Sequence, residues 1–204
     1  MKIKGCVFDF GGVMTTATMP ERVRNLTNEL GIDWNAIKTG FAKYRRLMDG
    51  GFIGIDEMYD NIWADAALDL SSEIRAKILA EDSASFIYRN DATLSFMRKL
   101  KSEGFKIGIL TNMSREFAEL FKEHFPDFIE TADAVVVSGC EKMFKPQKRI
   151  YDLLASRIAL RPEELCFFDD NEENCAGARA AGWSAVKFAN LEQAERDFRA
   201  LVSE

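Results

Sequence analysis

The stretch Gly5–Thr16, GCVFDFGGVMTT, decides how the rest of the chain is read. Cys6-Val7-Phe8 is a short apolar run that ends on a single acid, Asp9, before two glycines and the small polar pair Thr15-Thr16. An apolar run of this length, bounded by turn residues, reads as a buried strand. A carboxylate at the C-terminal tip of such a strand stands where open α/β sheets place their chemistry. Residues 2 to 9 are therefore expected to form a strand. Thr111-Asn112, Lys145-Pro146 and Asp169-Asp170 are the later polar features that make sense if they converge on Asp9.

Beyond that stretch the texture changes. From residue 20 to about 86 the pattern is helical. PERVRNLTNELG sets Val23, Leu26 and Leu30 on one face and stops at Gly31, a natural C′ glycine. Asp33 can cap a second helix carrying Trp34, Ile37, Phe41 and Tyr44. After the break MDGGFIG, Asp56 can cap a third with Met58, Tyr59, Ile62, Trp63 and Ala66, and Ser71 or Ser72 a fourth with Ile74, Ile78 and Leu79. These helices read as a small bundle inserted after the first strand, with Trp34 and Trp63 in its core.

From about residue 90 the rhythm becomes alternating helix and strand. Strands are expected at Phe105–Leu110, ending on Thr111, and at Ala134–Val137, Leu165–Phe168 and Ser184–Phe188. The intervening helices include one capped by Ser114 and one opening at Pro146, a favoured first helical residue. Alternation at this spacing implies a doubly wound parallel sheet with helices on both faces. The fold class is thus α/β, with a discontinuous core over 1–15 and 88–204 and a helical cap over 16–87.

The 204 residues suffice for one domain of ordinary size plus an insertion, and the net charge of −6 disfavours nucleic acid as a partner. It leaves room for a small phosphorylated metabolite, because a local site can be positive on an acidic protein. None of the four cysteines forms a C-x-x-C pair, and Cys6 and Cys166 sit in apolar runs as reduced core thiols. No leader pattern and no membrane-length apolar run is found, so the expectation is a cytoplasmic protein without membrane contact, a monomer or homodimer.

Strand ends of an open parallel sheet share one edge, so Asp9, Thr111-Asn112 and Asp169-Asp170 can meet there, with Lys145 entering from a loop. That set supplies a nucleophilic carboxylate, a hydroxyl, a cation and a pair of acids, and it suits phosphoryl transfer. A carboxylate can form an acyl-phosphate. Its charge repels a phosphate dianion, so a hard divalent cation is needed between them. Mg²⁺ takes carboxylate, phosphate and water oxygens, and Asp9 with one of Asp169 and Asp170 would provide the carboxylates. Lys145 and Thr111 would neutralise or hydrogen-bond the phosphate oxygens in the transition state.

In order and spacing these motifs resemble those of the haloacid dehalogenase-like superfamily of hydrolases. The quoted matches are VFDFGGV, IGILTN, FKPQKRIY and CFFDDNEENCAGARAAG, and the helical insertion resembles a cap of that family's C1 type, with GGFIGIDEMY similar to a common cap segment. The resemblance implies Asp9 as nucleophile and metal ligand, the Gly11 carbonyl as a further ligand, and Asp170 as a direct ligand. It implies that Asp169 binds the metal through water or holds Lys145, and that Thr111 binds phosphate with the Asn112 backbone N–H. One position departs. Most phosphatases of the family carry a general-acid Asp two residues after the nucleophile, and here that position is Gly11. General acid–base help is worth about 10²–10⁴-fold, so its loss need not abolish turnover. Either the leaving group departs easily, as an anomeric sugar oxygen does, or a water, a cap residue or the substrate serves as acid.

Rival readings are few. Asp9-Phe10-Gly11 also matches a kinase triplet, but no Gly-rich nucleotide loop accompanies it. Gly11-Gly12 lacks the Gly-Lys-Ser/Thr of a P-loop. A 2-haloacid dehalogenase would use the same aspartate without an acid, though by resemblance such enzymes lack the acid pair. A non-catalytic binding protein is the third reading. His124, the single histidine, reads as a helix-end residue. Tyr44, Arg45 and Arg46 near the cap turn read either as substrate contacts or as solvated polar residues.

Overall fold

The structure, a computed structural model, describes residues 3–16, 19–84 and 88–203. Its centre is a five-stranded sheet in the order β3-β2-β1-β4-β5, parallel throughout. The strands are β1 (Gly5–Phe8), β2 (Lys106–Thr111), β3 (Ala134–Val137), β4 (Leu165–Asp169) and β5 (Ser184–Lys187). β1 is shorter than the expected strand; Lys2 lies outside the described residues, and Asp9 is already in the loop.

Both faces of the sheet are buried, which is why its strands are apolar runs without alternation. Cys6, Phe8, Ile107, Ile109, Cys166 and Phe168 share one core with Leu94, Phe96 and Met97 of α5 (Asp91–Ser102) and with Phe198 of α11 (Leu191–Ser203). The Phe8 and Phe168 rings stack at 4.7 Å on adjacent strands. Val7, Leu110, Val136 and Phe167 face the other way, onto Tyr151 and Leu154 of α9 (Lys148–Ile158) and Ala178 of α10 (Glu172–Ala180). The four cysteines are free thiols, with Cys6 and Cys166 buried in register across β1 and β4.

Among the described residues four helices lie between β1 and α5 in the chain: α1 (Met19–Glu29), α2 (Trp34–Asp49), α3 (Ile55–Asp65) and α4 (Ser72–Ser83). α1 ends in a left-handed Gly31 at φ 68°, with the Ile32 N–H returning to Thr27 O at 2.8 Å. Asp33 caps α2 through Asn35 N at 2.9 Å, and Ser71 rather than Ser72 caps α4. Phe41 of α2 meets Tyr59 of α3 edge to face, Tyr59 stacks on Trp63, and Trp34 packs partly buried beside Phe41. The chain leaves and re-enters the sheet region through a paired stem. Thr15 bridges Arg89, and Thr16 N–H reaches Tyr88 O at 2.9 Å. The Asn90 amide and the Thr93 hydroxyl both donate to Val13 O.

Some local expectations are corrected. Gly54, not Asp56, is the N-cap of α3; Asp56 sits inside the first turn, where its charge faces the positive helix end. Pro146 does not open α9. The Lys145-Pro146 peptide is cis, Gln147 is the extended N-cap, and the helix begins at Lys148. α6 (Arg115–His124) ends on His124, and two short helices, α7 (Pro126–Thr131) and α8 (Ser138–Glu141), fill segments with no clear periodicity. Among the described residues no helix is long and apolar enough to cross a membrane.

Candidate active site

Strand order creates the site. The connections from β1 lead first to β2 and β3 on one side, and then the chain returns to β4 on the other. The crevice where direction reverses therefore opens at the C-terminal ends of β1 and β4. Asp9 leaves β1 there, its N–H bound to Phe168 O at 2.9 Å. Asp169 closes β4 one residue further on.

Lys145 joins them. Its Nζ lies 2.7 Å from Asp9 Oδ1 and 2.7 Å from Asp169 Oδ2, and its side chain is fully buried. Burial opposes the ammonium charge, but Asp169 and then Asp9 outweigh it, so the Lys145 pKa lies above its ordinary value. A lysine this enclosed is retained as an ion only by such partners. Asp169 is fixed from several directions: Asn171 N–H donates to Oδ1 at 2.8 Å, and Asn174 Nδ2 reaches both oxygens, at 3.1 and 3.0 Å. Asp9 Oδ1 also accepts from the Phe10 N–H at 2.7 Å. Among the described residues that leaves Asp9 Oδ2 as the oxygen without a protein donor.

The Asn112 side chain has a role of its own beside the one expected of its backbone N–H. Its side-chain amide accepts Lys145 N–H at 2.7 Å and donates to Lys145 O at 3.0 Å. Thr111 ends β2 beside it, buried and opposite Val137. Asp170 follows Asp169 into the crevice, and a Cβ on Gly12 would come within 2.8 Å of its Cγ. Gly12 itself adopts φ 71°, so both its conformation and its neighbour require glycine. Gly11 is different: it is exposed, its φ is not left-handed, and a Cβ there would meet nothing within 4 Å.

Asp9, Asp169 and Asp170 each offer a carboxylate oxygen, and these atoms lie within 4.8 Å of one another. Burial first, and then the charge of Asp169, push the carboxyls of both Asp9 and Asp170 upward. Three acids against one ammonium leave surplus negative charge at the crevice, with Asp9 and Asp169 buried and Asp170 exposed, and a divalent cation relieves it. An all-oxygen set with hard carboxylates fits Mg²⁺. Both oxygens of Asp169 are already engaged, so Asp9 and Asp170 have the greater capacity for direct ligation, and Asp169 is committed to Lys145.

Other features sort away from this centre. His124 ends α6, and its carbonyl accepts from Arg89 at 2.9 Å. Tyr44 donates to Asp65, and Arg46 pairs with Glu173 of α10. Arg45 is partly exposed and lies among Asp49, Asp82 and the Phe117 ring. Asn174 and the Asn112 side chain escaped the sequence reading. The available signal for Asn174 was an amide one helical turn beyond the acid pair.

The family model of haloacid dehalogenase-like hydrolases matches residues 3–182. Phosphatase MT3486 of Mycobacterium tuberculosis (strain CDC 1551 / Oshkosh) is 25% identical over 193 residues, covering 91% of this chain and 87% of its own. (S)-2-haloacid dehalogenase 1 of Pseudomonas sp. (strain CBS-3) is 24% identical over 205 residues, covering 93% and 86%. The solved magnesium complex of the HAD family enzyme BT-2542 from Bacteroides thetaiotaomicron shares the fold, with a TM-score of 0.76 at 23% identity over 100% of both chains.

Proposed function

The chain belongs to the haloacid dehalogenase-like hydrolase family, and from the geometry of its site we propose that it is a Mg²⁺-dependent phosphatase of a small phosphorylated metabolite. The observation that carries this reading is the cluster of Asp9, Asp169 and Asp170 within 4.8 Å, with Lys145 bridging two of them. Sugar phosphates, anomeric ones included, are the first substrates to try.

Asp9 attacks phosphorus in line with the leaving oxygen, forming an aspartyl phosphate that water then hydrolyses. Lys145 holds one Asp9 oxygen in place and faces the charge that builds on the phosphoryl group. Thr111 and the Asn112 backbone N–H bind phosphate oxygens. Asp9, Asp170 and the Gly11 carbonyl would hold Mg²⁺, with Asp169 acting through water or through Lys145. The bound ion would screen the repulsion between carboxylate and phosphate dianion. Residues 16–87 act as a cap over a core made of 1–15 and 88–204, opening to admit substrate and closing to exclude water. The magnesium bound to BT-2542 and the phosphatase among the relatives support this reading.

A dehalogenase reading is favoured by the likeness to (S)-2-haloacid dehalogenase 1 and by Gly11, since halide leaves without a proton. The acid pair Asp169-Asp170 speaks for the phosphatase. The test is a panel of phosphate monoesters and 2-haloacids, each with Mg²⁺ and with EDTA, and Asp9→Asn as control. Phosphate release that EDTA and Asp9→Asn both abolish is the expected result. Halide release that survives EDTA would establish the dehalogenase. No turnover of any compound would leave a binding protein.

A further inference from the structure

Arg45 of α2 carries two acids. Its Nε lies 3.2 and 3.3 Å from the oxygens of Asp49, and its Nη1 lies 3.1 and 3.2 Å from those of Asp82. The Tyr59 hydroxyl also donates to Asp82, at 2.8 Å. Two carboxylates on one guanidinium leave one negative charge in excess, and a buried excess charge is relieved by binding a proton. Asp82, served by both Arg45 and Tyr59, is the acid that balances the cation. Asp49 is the surplus one. The two also differ in access: the Asp82 side chain is 1% exposed and that of Asp49 11%, the same as Asp9.

Asp49 stands where α2 meets the C-terminal edge of the sheet. Its carbonyl accepts the Ser138 hydroxyl, and that hydroxyl oxygen accepts the Met113 N–H at 2.8 Å, two residues past Thr111. The next residue, Gly50, lies so close to the Phe144 ring that a Cβ would come within 2.8 Å of it. Phe144 immediately precedes Lys145. The main chain around Asp49 is therefore fastened to both loops that bring phosphate-binding groups to the site. Meanwhile position 11 has open space for a larger side chain and holds none.

We propose that Asp49 is the general acid and base of the site, delivered by the helical insertion where Gly11 offers no proton; the proposal rests on the phosphatase reading. In the first step the bond between Asp9 oxygen and phosphorus forms, the ester P–O bond breaks, and the Asp49 O–H proton passes to the leaving alkoxide. In the second step the Asp49 carboxylate takes a proton from the attacking water, the new P–O bond forms, and the Asp9–phosphorus bond breaks. Inorganic phosphate departs and Asp49 is again protonated. Burial pushes the Asp49 carboxyl up to about 6; Arg45 pulls it back, Asp82 adds to the push, and Lys145 pulls from the sheet side. A group near this value can both give and retake a proton around neutral pH.

The experiment measures kcat/KM with Mg²⁺ for phosphate monoesters of graded leaving-group pKa. The wild type is expected to show a shallow dependence. Asp49→Asn should lose about 10²–10⁴-fold on alkyl esters and little on the most activated aryl esters, giving a steep dependence. Tyr59→Phe, which disturbs the same ion network from the far side, should leave the slope shallow. Gly11→Asp should restore alkyl ester turnover to Asp49→Asn, a rescue that a merely structural role of Asp49 would not allow. A steep slope in the wild type overturns the inference without any variant. Equal slopes for the wild type and Asp49→Asn overturn it while the phosphatase reading stands. No turnover of any ester by the wild type overturns both.

Discussion

The side-chain amide of Asn112 closes on the main chain of Lys145 from both sides, accepting its N–H at 2.7 Å and donating to its carbonyl at 3.0 Å. A lysine side chain has four rotatable bonds and specifies little by itself. Here its root is fixed by Asn112 at the end of β2, and its tip is fixed by Asp9 and Asp169 at the ends of β1 and β4. The cation is thereby tied to the tips of three neighbouring strands, and its position is as rigid as the sheet.

Removing that clamp should misplace Lys145 without removing it. Asn112→Ala is expected to lower kcat/KM for a phosphate ester by about 10- to 100-fold, since a 1 Å error in a positioned group costs on that scale. Asn112→Asp can still accept from the Lys145 N–H but cannot donate to its carbonyl, and should fall between. Steady-state kinetics with a responsive ester checks both, and circular dichroism checks that the fold survives.

The two glycines after Asp9 should answer oppositely to the same substitution. Gly12→Ala forces a Cβ onto a left-handed residue and against Asp170, and should destabilise the protein by about 1–3 kcal/mol. Gly11→Ala, in open space, should stay within about 0.5 kcal/mol of the wild type. Denaturant titration measures both, and Mg²⁺ titration calorimetry should show weaker binding by Gly12→Ala alone.

Acid stability should depend on Glu164. Lys4 first, then the N–H and side chain of Arg161, hold its carboxyl down at about 2 against an ordinary 4.5. A depressed acid favours the fold above its unfolded value and loses that favour as pH falls. The contribution is complete above about pH 5 and disappears between pH 4.5 and about 2. Glu164→Gln should therefore melt below the wild type at pH 7, with the gap closing as pH approaches 2. A gap independent of pH would refute the assignment. Lys4 is well exposed, so added salt should narrow the difference.

The parts of this molecule that were legible in the sequence are those where chain-local chemistry and tertiary position agree. Cys6-Val7-Phe8 and Leu165–Phe168 are buried on both faces, so each reads as an unbroken apolar run that stops at an acid. Asp33, Ser71 and Ser114 act on N–H groups two or three residues away, and local pattern suffices. What remained hidden depends on partners far along the chain. Arg45, Asp49, Tyr59 and Asp82 sit on three helices; the three charged residues look by periodicity like ordinary polar positions, and Tyr59 looks like one more apolar contact of its helix. Nothing local shows that a cation and two acids will be enclosed together. The same holds for the Asn112 side chain, whose partner lies in another loop, and for Pro146. A proline before helical periodicity reads as a helix start, whereas Asn112 and the turn from Gln147 N–H to Phe144 O hold that segment outside the helix.

The sheet order has a consequence for biosynthesis. β1 is the central strand, yet its neighbour β4 follows it by about 160 positions, Phe8 pairing with Phe168. At about 5–20 residues per second on the ribosome, that interval is on the order of ten to thirty seconds. Through it, the nascent Cys6-Val7-Phe8 segment has at most one of its two edges satisfied, by β2. The segment that organises the mature site is thus the one most exposed to wrong partners while the chain is being made, and chaperone capture in that interval should centre on β1.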